Sequence, residues 1–183
     1  MEDEKLIWET LGTKKLLHTR VFDVLSLRER AANGVEGDYI ALDAPYCVVV
    51  LPEHNGNFIM VRQWRHGAGR LTTEFPGGVV DKGEPPEIAA ARELYEETGY
   101  KAGKLTMLGS FSPNPAIFNS LFYVYLASEL VKADGQHLDA DELVSCVELP
   151  IDEVIDSLGS ADFCHAFMGA AIALYLRMRN YFG

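Results

Sequence analysis

Apolar positions change their spacing several times along the chain, and each change marks an element. From Leu6 to about Ala44 the pattern is that of short strands. Lys15–Leu25 alternates loosely, with Leu17, Val21 and Phe22 among polar residues. Ala31-Ala32-Asn33-Gly34 predicts a turn, with Gly34 and Gly37 free to take positive φ. Tyr46–Leu51 is almost wholly apolar and β-branched, which suits a strand buried on both faces. Glu53-His54-Asn55-Gly56-Asn57 predicts a hairpin turn, and Phe58–Gln63 its returning strand. His66–Thr73 reads as a polar, Gly-rich loop. The stretch Glu84–Thr98 lacks glycine, opens on Pro85-Pro86 and is followed by Gly99, so a helix is expected over 86–98. Ile88 and Ala91 are expected to face a core. Leu105–Ser110 and Leu121–Ser128 read as strands around a Pro-containing loop, and Gly135–Glu142 as a polar, acidic loop. Cys146–Leu149 is a short strand, and Pro150–Leu158 begins a helix. Phe163–Arg179 is a last helix, with Phe167, Ala170, Ala171, Leu174 and Met178 at helical spacing.

Composition narrows the function. A chain of 183 residues accommodates one domain and a small appendage. With 48% apolar and 23% charged residues it is an ordinary globular composition. The net charge of −11 excludes a protein living on non-specific nucleic-acid binding. It still allows a phosphate substrate if metal ions bring the positive charge. The longest apolar run, Ala166–Leu176, falls short of the ~18 residues of a membrane span, so no membrane partner is expected. Met1-Glu2-Asp3-Glu4-Lys5 is acidic and does not read as a signal peptide. Cys47, Cys146 and Cys164 are odd in number and lack C-x-x-C spacing, which reads as reduced, buried thiols in a cytoplasmic protein. His18, His54, His66, His137 and His165 show no ligand spacing. No serine stands in a Gly-x-Ser-x-Gly context.

The informative segment is Gly78–Tyr100. Glu93 and Glu97 are four apart and share a helix face, with Glu96 beside them. Clustered carboxylates repel one another, so three acids on one stripe point to hard cations with oxygen ligands, Mg²⁺ or Mn²⁺. A solvated acidic face with an Arg92–Glu96 pair is the plainer alternative. Gly78, five residues, Glu84, seven residues, then Arg92-Glu93-Leu94-Tyr95-Glu96-Glu97-Thr98-Gly99-Tyr100 resembles the Nudix box. Every fixed position matches; the one departure is Tyr100, a packing position where an aliphatic residue is usual. The resemblance implies a hydrolase of nucleoside diphosphates linked to another moiety. It also implies an α/β fold, an α/β/α sandwich with a mixed sheet over 45–183, preceded by an antiparallel β extension over 1–44. Carried over residue by residue, it makes Glu93 and Glu97 metal ligands, and Glu96 a ligand or the group that orients one. The Gly77 carbonyl often completes the shell. Arg92 is carried with the catalytic group, pairing with Glu84 to hold the loop–helix–loop together.

The flanks resemble one subgroup. Glu74-Phe75-Pro76-Gly77-Gly78 and Arg62-Gln63-Trp64-Arg65 are similar to runs of ADP-ribose pyrophosphatases and related nucleotide-sugar hydrolases. There the last Arg contacts substrate phosphates, which nominates Arg65, with Glu74 alongside it. Pro115 stands 16 residues beyond Gly99, where that subgroup carries a marker proline beside the terminal ribose. N-terminal strands of this group often exchange across a homodimer, so Trp8 and Phe22 are candidates to stack on adenine. The base that activates water often lies on a late loop, which here nominates Glu142, with Asp139, Asp141 and the box residue Glu96 as alternates. The resemblance implies ADP-ribose as substrate, giving AMP and ribose 5-phosphate. GDP-mannose, ADP-glucose or FAD is the enzymatic alternative, and a non-catalytic Nudix-fold sensor the non-enzymatic one.

Overall fold

The structure, a computed structural model, describes residues 2–138 and 142–179; Asp139 and Asp141 lie outside the described residues. It divides into two compact units, 1–45 with 112–121, and 46–111 with 122–183.

The first unit is an antiparallel sheet of β1 (Trp8–His18), β2 (Asp23–Ala31) and β3 (Glu36–Asp43), with β2 in the middle. The loose alternation of Lys15–Leu25 is not one strand. Thr19 breaks it, because its hydroxyl accepts the amides of Val21 and Phe22 and donates to the Phe22 carbonyl. The next turn is as expected at Gly34 (φ 86°), whereas Gly37 pairs inside β3 without positive φ. Loop 112–121 lies along the end of β3: the Leu42 amide donates to the Ile117 carbonyl (2.6 Å), and Asn119 Nδ2 to Asp43 (2.7 Å). Every residue of β1 is exposed, Trp8, Leu11, Leu16 and Leu17 among them.

The second unit carries a mixed sheet: β6 (Arg70–Glu74), β5 (Asn57–Arg65), β4 (Cys47–His54), β8 (Phe122–Lys132) and β7 (Tyr100–Phe111), with β9 (Val144–Pro150) also paired to β5. The β4–β8 pairing is parallel and its neighbours are antiparallel. Alternation along the buried strand β4 builds two cores. Val48 and Val50 pack with Ala89, Ala90 and Leu94 of α1 (Pro86–Thr98). Val49 and Leu51 pack with Phe58, Met60, Val154 of α2 (Ile151–Ser157), and Met168, Ile172 and Tyr175 of α3 (Ala166–Met178). Helices therefore cover both faces of the sheet, an α/β/α sandwich.

Four expectations change here. Thr72 and Thr73, read as loop, are buried in β6, because pairing to β5 satisfies their backbone. Ile88 and Ala91 face solvent, and the buried stripe of α1 runs through Ala90, Leu94 and Glu97. In α3 the stripe is Met168, Ala171, Ile172, Leu174 and Tyr175, with Met178 exposed. Among the described residues no helix is long and apolar enough to cross a membrane. The three cysteines are free, but Cys146 and Cys164 are exposed rather than buried.

Candidate active site

The box folds around one arginine. Arg92 donates from Nε and Nη2 to both oxygens of Glu84 (3.0 Å each), from Nη2 to the Val79 carbonyl (3.0 Å), and from Nη1 to Glu93 (2.8 Å) and Glu96 (3.1 Å). These bonds tie the 79–84 loop to α1. Gly99, in the left-handed region (φ 71°), ends the helix with its amide on the Tyr95 carbonyl (2.8 Å).

Upstream, residues 76–80 run along β4, with Val50 N–H on the Pro76 carbonyl (2.9 Å), Val48 N–H on Gly78 (2.8 Å) and Val80 N–H on Tyr46 (2.8 Å). Two glycines permit the approach. A side chain on Gly77 would strike the Val48 carbonyl oxygen, and one on Gly78 would come within 2.5 Å of Glu93 Oε1. Gly77 N–H donates to Glu97 Oε2 (2.8 Å).

The box carboxylates differ in environment. Glu97 is 4% exposed. Burial pushes it up to about 8, the Gly77 amide opposes that, and the negative charges of Glu93 and Glu142 add to it. Burial also raises Glu93, against the pull of Arg92, with Glu96 and Glu142 pushing the same way. The charge of Glu142, on the late loop, is thus felt by both. That loop is anchored at its start. Gln136 Nε2 donates to the Glu97 carbonyl (2.6 Å) and the Val144 carbonyl (3.2 Å), and the His137 amide donates to the Glu96 carbonyl (2.8 Å). The His137 ring stacks on Tyr95 at 4.8 Å.

Among the described residues no three acidic, His or Cys side chains already converge as ligands of one ion. Arg92 and the Gly77 amide hold these carboxylates instead. The donor set nevertheless fits a hard divalent cation. Its oxygens are close enough to raise one another, and the most buried of them is without a directly bonded cationic side chain among the described residues.

Beside the box lies a cleft of about 510 Å³, lined among others by Arg65, His66, Glu74, Gly77, Cys164 and His165. Its size suits a small ligand. Glu74 sits at its base with a side chain only 3% exposed. Arg65 donates to it twice (Nε–Oε1 3.0 Å, Nη2–Oε2 2.7 Å), Thr72 once (2.6 Å), and His165 Nδ1 lies 2.8 Å from Oε2. Burial alone would raise Glu74; the bonds from His165, Arg65 and Thr72 win and hold it well below the usual carboxylate range.

The second unit thus holds Arg65, Glu74, Gly77, Arg92, Glu93, Glu96, Glu97 and Glu142, with Arg65, Glu74 and Gly77 lining the cleft. Trp8 and Phe22 belong to the first unit: Trp8 meets Tyr39 edge-on at 5.3 Å, and Phe22 closes the β1–β2 turn. Pro115, also in that unit, is exposed in a turn where the Ile117 and Phe118 amides donate to the Asn114 carbonyl. Sequence reasoning passed over Gln136, Thr72 and His165. The partners of Gln136 and His165 lie 8 to 91 positions away, and Thr72, two before its partner Glu74, stands in a segment read as loop, so no local spacing announces them.

Comparison with known proteins agrees with this geometry. The NUDIX domain family model matches residues 43–166. The chain is 33% identical over 174 residues to an ADP-ribose pyrophosphatase of Bacillus subtilis, covering 94% of each. It is 32% identical over 149 residues to a methanol dehydrogenase activator of Bacillus methanolicus, covering 80% of each. A crystal structure of an ADP compounds hydrolase superposes with a TM-score of 0.82 at 28% identity, over 94% of this chain and 95% of that one. Box, fold and relatives together show that the chain belongs to the Nudix family.

Proposed function

We propose that the protein is a divalent-metal-dependent pyrophosphatase that cleaves ADP-ribose to AMP and ribose 5-phosphate. That it is a Nudix pyrophosphatase follows from its family and from relatives that span nearly its whole length. One observation supports the finer reading most: the raised carboxylates Glu93 and Glu97, together with Glu142, stand in the unit whose cleft displays Arg65. Glu93 and Glu97, with Glu96 and the Gly77 carbonyl, would hold Mg²⁺ or Mn²⁺. A metal held there would screen charge on the phosphoryl oxygens and make water more acidic.

The chain's own residues do the rest. Arg65, aligned by Glu74, binds a phosphoryl group and offsets its repulsion by the acidic box. Glu142 accepts the proton of the water that attacks phosphorus, while the bond from phosphorus to the bridging oxygen breaks. Arg92 positions Glu93 and Glu96 through its two bonds from Nη1.

The protein acts as a homodimer in this reading. The wholly exposed β1, with Trp8, Leu11, Leu16 and Leu17 in contact with water, supports burial against a second copy. Three free cysteines suit a reducing, cytoplasmic compartment.

Release of AMP or GMP from ADP-ribose, ADP-glucose, GDP-mannose and FAD, with Mg²⁺ or Mn²⁺, tests the assignment. The expected result is the highest kcat/KM on ADP-ribose. A preference for another compound would replace the substrate and keep the reaction, and no turnover of any would overturn the enzymatic reading.

A further inference from the structure

We propose that Gln136 is a positioning residue for the hydrolysis: its side-chain amide ties the loop that carries Glu142 to the end of the box helix and so sets Glu142 against Glu93 and Glu97. This rests on the reading of Glu142 as the base. Three observations carry it.

The first is where the amide points. Gln136 Nε2 donates to the Glu97 carbonyl (2.6 Å) and to the Val144 carbonyl (3.2 Å). Both partners are backbone carbonyls, which only accept, so the NH₂ end of the side chain must face them, and its two protons serve one each. One carbonyl belongs to a box carboxylate residue. The other stands two residues after Glu142.

The second is what those carbonyls need. Glu96 and Glu97 lie in the last turn of α1, where carbonyls lack a partner within the helix. The Glu96 carbonyl takes the His137 amide (2.8 Å), and the Glu97 carbonyl takes Gln136, with Cys146 Sγ at 3.3 Å. The box helix is therefore capped by segments on both sides of Glu142.

The third is how Glu142 is held. Val144 opens β9 in register with Gln63 of β5, so from there on the sheet fixes the backbone. Glu142 precedes the strand and is exposed, and Leu143 beside it is 88% exposed, so apolar burial does not locate them. The bond from Gln136 to Val144 reaches the backbone where the strand gives way to the loop. The charge of Glu142 is felt by Glu93 and Glu97, so the tie spans the place where base and box meet. Misplacing a reacting group by about 1 Å can cost on the order of 10²-fold in rate.

Gln136→Met keeps the length of the side chain and loses both donors. Made in the wild type and in Glu142→Gln, it gives a double-mutant cycle. In the wild type it should lower kcat about 10-fold with KM within about 2-fold. In Glu142→Gln it should lower kcat less than about 2-fold, because the position of a base does not matter once the base is gone. Losses of about 10-fold in both backgrounds would make Gln136 a support of the box itself and overturn the proposal, as would Gln136→Met at the wild-type rate. Glu142→Gln at the wild-type rate would overturn the base assignment and the proposal with it. An impaired Glu142→Gln with multiplying losses overturns Gln136 alone, so the two failures are distinct. Amide hydrogen exchange in the metal-free protein needs no turnover. In Gln136→Met the His137 amide should exchange at least about 5-fold faster, with Leu94 inside α1 unchanged. Unchanged exchange at His137 would overturn the tie.

Discussion

Replacing Glu74 by Gln keeps the shape of the side chain and removes one charge from the base of the cleft. An amide NH₂ in the place of Oε2 would face Arg65 Nη2 and His165 Nδ1–H, donor against donor. Breaking a buried ion pair by removing one partner typically costs 3–5 kcal/mol. Arg65 is 43% exposed, so water recovers part of that loss, and about 2–3 kcal/mol is the expected destabilisation at pH 7. With an m-value of about 2 kcal/mol/M in urea, the midpoint should fall by roughly 1–1.5 M. The pH dependence has a definite sign. Glu74 ionises at lower pH in the folded chain than its unfolded value of 4.5, so its contribution is present above about pH 4.5 and fades as pH falls below it. Urea titrations of wild type and Glu74→Gln at pH 7 and at pH 3.5 should therefore show a gap that narrows in acid. No gap at pH 7, or a gap of equal size at both values, would refute the account of Glu74 as a charged anchor.

Other expectations follow from the same geometry. Glu97→Gln should fold and lose on the order of 10²-fold or more in kcat, at least ~2.7 kcal/mol of transition-state stabilisation; near-wild-type turnover at saturating Mg²⁺ would remove Glu97 from the ligand set. Glu142→Gln should lower kcat by about 10²–10⁴-fold with KM little changed, as loss of a general base does. A loss below about 5-fold, with Glu96→Gln far worse, would move the base into the box. Light scattering at micromolar concentration should give a homodimer, and Leu11→Glu with Leu17→Glu should yield monomers; a monomeric wild type would count against the role given to β1.

Local chemistry was legible without a fold. The helix over 86–98 was bounded by Pro85-Pro86 and Gly99, because a missing N–H and a positive φ are properties of single residues. The Asn55-Gly56 turn was readable for the same reason, both residues taking positive φ (50° and 81°). The box spacing placed Arg92, Glu93, Glu96 and Glu97 on adjoining positions of one helix. What it could not say was that Glu97 faces inward, since the buried stripe of α1 is set by β4 and not by the apolar residues Ile88 and Ala91. Strand β6 was missed because threonines read as loop until pairing to β5 buries them. The cleft itself belongs wholly to the tertiary structure. Glu74 meets His165 across 91 positions, and Glu142 acts on Glu93 and Glu97 from a loop anchored by Gln136. Such contacts carry no periodic signal, because which side chains share a carboxylate is settled only when the sheet brings distant segments together.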